Sequence, residues 1–67
     1  MEIVNKYEQT YNVKIIDDSV FPPKTYNCVV RAKKIVTTDD DITFIDYYGC
    51  VSGCFRRKFV IGYAIKE

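Results

Sequence analysis

The chain has 67 residues, ten of them basic and nine acidic, and it has no histidine. So short a chain makes one domain, residues 1–67, near the lower limit for a self-sufficient core. A net charge of +1 argues against a generic polyanion binder, which carries a clear excess of Lys and Arg, and the lack of histidine removes histidine-dependent triads, metal sites and pH switches together.

No apolar run approaches the length of a membrane span, and no charged-then-apolar leader opens the chain. The expectation is a soluble, cytoplasmic protein with no membrane partner. Its cysteines are Cys28, Cys50 and Cys54, an odd count that argues against a secreted disulfide framework. An apolar content of 48% makes a core credible and leaves enough for an apolar surface patch, so a homodimer is a natural expectation.

From Tyr7 the first stretch alternates, with Tyr7, Gln9, Tyr11, Val13 and Ile15 on one face and Lys6, Glu8, Thr10, Asn12 and Lys14 on the other. That pattern predicts a half-buried strand. Ile3, Tyr7 and Tyr11 also fit a helical spacing, so a short helix over 2–9 is the alternative. Asp17-Asp18-Ser19 ends the strand, and Phe21-Pro22-Pro23-Lys24 reads as a rigid connector with Phe21 folded back as a lid on the core. Thr25–Thr37 is the second strand. Its alternation slips at Lys33-Lys34, where a bulge or bend is expected. Asp39-Asp40-Asp41 reads as a solvated turn, since a calcium loop needs alternating oxygen ligands, a central Gly and a distant Glu.

Residues 42–65 then read as a hairpin around which the rest is organised. A four-residue loop, Cys50-Val51-Ser52-Gly53, pairs Tyr48 with Phe55, Asp46 with Arg57, Phe44 with Phe59 and Ile42 with Ile61 on one face. The other face receives Tyr47 opposite Arg56 and Ile45 opposite Lys58. Together the elements predict an all-β fold: a four-stranded antiparallel meander, curled into a small SH3-like or OB-like open barrel. Such an architecture implies no particular activity. The abundance of Ile, Lys and Tyr is similar to that of small AT-rich phage or plasmid reading frames, which would suit a small encoded modulator.

Cys50-x3-Cys54 with a distant Cys28 lacks the paired C-x2-C spacing and fourth ligand of a zinc site, so no metal is assigned. Asp46 with Arg57 is expected to be a register-fixing ion pair on the aromatic face. No nucleophile–base set can be assembled, so neither an enzyme nor a cofactor is expected. The leading reading is an interaction module that binds a protein partner or itself. Its candidate surface is Tyr47, Arg56 and Lys58 with loop residues Val51 and Ser52, because Tyr and Arg are enriched at interface hot spots. The second reading is a single-stranded nucleic-acid binder in which Arg31, Lys33, Lys34, Arg56 and Lys58 pair phosphates beside stacking aromatics.

Overall fold

The computed structural model describes residues 1–66. Five strands form one antiparallel sheet: β1 (Glu2–Asp17), β2 (Lys24–Thr37), β3 (Asp41–Ile45), β4 (Val51–Arg56) and β5 (Val60–Ile65). The strand order is β4-β3-β2-β1-β5, so the last strand returns to the first. A single 3-10 turn, Arg57–Phe59, joins β4 to β5. The all-β expectation holds. The four-strand count does not, and residues 2–9 are strand rather than helix.

The fifth strand has a simple origin. β3 is only five residues long, and its first residue, Asp41, already pairs with Arg56. Beyond Arg56 the chain has no partner on β3. It turns through residues 57–59, with Arg57 N–H donating to the Asp40 carbonyl at 2.8 Å, and joins the open side of β1.

A bulge does lie at the Lys33-Lys34 step, but its extra residues belong to β1. Val4 pairs with Lys34 and Gln9 with Ala32, so Asn5–Glu8 stand opposite the single residue Lys33. The inward positions of β2 shift parity there, from Val30 and Ala32 to Ile35. This bend folds the sheet over its own inner face. Phe44 on β3 and Tyr63 on β5 are separated by two strands in the sheet, yet their rings lie 5.5 Å apart. Phe44 also meets Tyr11 at 5.7 Å and Phe55 at 5.9 Å, which makes it the hub of the core. Tyr11, Val13, Val30, Ala32, Ile35 and Ile42 complete the buried set. The sheet curls without closing, since β4 and β5 are its two edges.

The expected loop and register of the 42–65 hairpin are corrected. The observed pairs are Ile42 with Phe55, Thr43 with Cys54 and Phe44 with Gly53, and the turn is at residues 46–50. Asp46 and Gly49 explain the difference. The Asp46 carboxylate accepts from Tyr48 N at 3.0 Å and Cys50 N at 2.9 Å, and Gly49 supplies a positive φ of 84°. Turn chemistry therefore outweighs the matching of aromatic pairs. Asp46 and Arg57 do not meet, because Asp46 caps this turn while Arg57 donates to the Thr38 carbonyl at 3.3 Å. Phe21 is no lid: it is 98% exposed at the β1–β2 tip.

Candidate protein-interaction surface

The bulge in β1 and the tight β3–β4 turn bring together residues from three distant segments of the chain. Glu8, in the bulged segment, faces Arg31 on β2 with Arg31 Nε 3.0 Å from Oε1. Its other oxygen accepts from the backbone N–H of Tyr47 at 2.8 Å. Lys33, the single residue opposite the bulge, holds its Nζ 5.1 Å from the centre of the Tyr47 ring, within cation–π range. The Tyr48 ring meets Tyr47 edge-on at 5.4 Å. The turn is thus fixed from within by Asp46 and from outside by Glu8.

Ser52 adds a third tie. Phe44 pairs with Gly53 and Ile45 with Val51, which leaves Ser52 as the extra residue of a bulge on β4. Its hydroxyl lies 2.6 Å from the Arg31 carbonyl and 3.1 Å from that of Phe44. Gly53 lets β4 come this close to β2, since a Cβ there would stand 3.0 Å from Val30 Cγ1. Tyr47 and Tyr48 remain 63% and 86% exposed on this fixed frame, with Val51 exposed beside them at the start of β4.

Of the residues expected on the binding surface, Tyr47, Val51 and Ser52 come together, and Arg31, Lys33 and Lys34 join them at the Ile45 end of β3. Arg56 and Lys58 do not. Arg56 pairs with Asp41 at the opposite end of β3, and Lys58 sits in the 3-10 turn with its Nζ 4.9 Å from the Phe59 ring centre. The expected Tyr47–Arg56 pairing is therefore corrected, and with it the continuous cationic stripe. Comparison with known proteins finds no matching family, no similar curated protein and no similar solved structure. The site must be read from its own chemistry.

That chemistry is mixed. Arg31 is engaged by Glu8, and Lys34 by Glu2 at 2.9 Å. Lys33 leans on an aromatic ring, and Arg56 and Arg57 lie beside Asp40 and Asp41. Among the described residues, no group of three Cys, Asp or Glu side chains is placed to hold a metal ion. The three thiols are free, Cys50 and Cys54 exposed and Cys28 half-buried. Among the described residues, one titratable group is shifted. Asp17, at the β1–β2 tip, is held below the usual carboxylate range by hydrogen bonds from the Ser19 hydroxyl and backbone N–H. The alternation of β1 places Glu8 among outward polar residues and gives no sign of its contact with Tyr47. The bulge that turns it towards Tyr47 has no signature in the alternation of β1.

Proposed function

We propose that the protein is a non-catalytic interaction module that binds a protein partner through the β3–β4 turn, with Tyr47 and Tyr48 as anchors and Arg31, Lys33, Val51 and Ser52 around them. One observation supports this most: two adjacent, largely exposed tyrosines on a turn held at both ends by carboxylates. Exposed aromatics on a mobile loop must be ordered on binding, whereas a pre-formed turn avoids that entropic cost. Tyr and Arg are enriched at hot spots, and the apolar ring faces with a cationic rim suit a protein surface carrying an apolar pocket and acidic neighbours. On this reading the module acts in the cytoplasm as a small modulator that occupies its partner's surface. The finer architecture, an SH3-like or OB-like small barrel left open between β4 and β5, belongs to the same reading.

Two comparisons test it. A photo-crosslinking side chain at Tyr48 should capture one defined partner in source cells, and the same side chain at Phe21 should not. Tyr47→Ala should weaken binding by about 1–2 kcal/mol or more, the size of a hot-spot loss. The competing reading is tested with a fluorescent single-stranded oligonucleotide titrated at low and physiological salt. Weak binding that vanishes at physiological salt is expected, because counterion release is then its only source. Tight binding that survives there would replace the protein-partner reading.

A further inference from the structure

β5 has one paired and one open edge, and the hydrogen-bond pattern shows which of its backbone groups are left without partners. Lys66 N–H donates to the Thr10 carbonyl at 2.7 Å, and the register continues as Tyr11–Ile65, Asn12–Ala64, Val13–Tyr63 and Lys14–Gly62. Hydrogen-bonded and non-hydrogen-bonded pairs alternate in an antiparallel ladder. Lys66, Ala64 and Gly62 therefore turn their N–H and C=O groups towards β1, while Tyr63 and Ile65 turn theirs outward. Among the described residues no strand covers that side.

The edge also lacks the usual protections. Val60–Ile65 contains no charged residue and no proline. Its one irregularity, opposite the Lys14–Ile15 step, lies at its start and leaves Gly62–Ile65 regular. The other free edge, β4, also has its bulge near its start, at Ser52, but it ends in a charged residue, Arg56.

We propose that two copies of the chain pair antiparallel through β5, about a two-fold axis at Tyr63. The outward groups select this register. Only outward residues can exchange hydrogen bonds, and centring on Tyr63 pairs Tyr63 with its own copy. Gly62 then faces Ala64 of the other copy, two small residues that let the strands approach. Ile65 comes beside Ile61 of the other copy, a contact made twice across the axis; the two are 50% and 54% exposed in the single chain. The Tyr63 ring does not stand in the way, since it packs inward 6.1 Å from Tyr11 and 5.5 Å from Phe44. This surface lies on the opposite sheet edge from β4 and does not depend on the tyrosine turn.

Sedimentation velocity from about 1 to 100 µM, a range that brackets micromolar association, should show a monomer–dimer equilibrium. Ile61→Lys, at a half-exposed position, should leave the circular dichroism spectrum unchanged and raise the dissociation constant about tenfold or more by placing two charges at the seam. Hydrogen exchange on the unaltered protein tests the register independently. The Tyr63 and Ile65 amides should become protected as concentration rises, while those of Gly62 and Ala64 are protected throughout. A monomer across the whole range would overturn the proposal. So would a dimer in which Tyr63 and Ile65 exchange as they do in dilute solution.

Discussion

Two turns of this molecule carry exposed aromatic residues, and they are built differently. At the β1–β2 tip, the Asp17 carboxylate accepts from Ser19, and Phe21 stands 98% exposed. At the β3–β4 turn, the Asp46 carboxylate plays the same local part, but the turn is also tied to two other strands. Glu8 of β1 accepts from Tyr47 N, Lys33 of β2 lies over the Tyr47 ring, and the bulged Ser52 reaches the Arg31 carbonyl. Exposure of an aromatic side chain is common on small proteins and does not by itself mark a site. Exposure on a turn held by long-range contacts means that the presentation, and not only the residue, is encoded.

Four substitutions probe the difference between the two turns. Phe44 should have the largest effect, because its ring joins β1, β4 and β5 in the core. Phe44→Ala should cost about 3–5 kcal/mol in urea unfolding, which leaves so small a domain largely unfolded. Asp46→Ala removes the acceptor of two backbone N–H groups and should cost about 2 kcal/mol, with lost exchange protection concentrated at Tyr48 and Cys50. Asp17→Asn should matter less, and only in one pH window. The depressed Asp17 value makes a contribution that is present above the ordinary carboxylate range and lost as pH falls through the folded value. The difference between Asp17→Asn and the parent should therefore disappear in acid unfolding curves at low pH. Phe21→Ser, at a side chain with almost no contacts, should change stability by no more than about 0.5 kcal/mol.

Much of this fold is legible in the sequence, for reasons that differ by element. The alternation of Tyr11, Val13 and Ile15 and of Cys28, Val30 and Ala32 marks the long β1–β2 pair, because one face of each is buried. The slip at Lys33-Lys34 marks the bend, since a change of parity along a strand needs a physical cause. In the β3–β4 register, aromatic pairing points the wrong way, because Asp46-x-x-Gly49 sets the turn. Other features were not legible. The passage of β5 to β1 depends on how soon β3 runs out, and the orientation of Glu8 depends on a bulge formed across two strands. The separation of Arg56 and Lys58 from Tyr47 follows from the same register, so the site inherited the error of the hairpin. Residue type alone singles out Tyr47, Val51, Ser52, Arg31 and Lys33 as candidates, and only the fold shows that they lie together.

The β3–β4 turn is rigid because distant residues hold it. Backbone 15N relaxation with amide exchange tests this most directly, in the parent protein and in Glu8→Gln. Order parameters of about 0.85 are expected for Tyr47 and Tyr48 and values below about 0.6 around Phe21, with a protected Tyr47 amide whose protection falls selectively in Glu8→Gln. Equal mobility of the two turns, or a Tyr47 amide indifferent to the loss of the Glu8 charge, would contradict it.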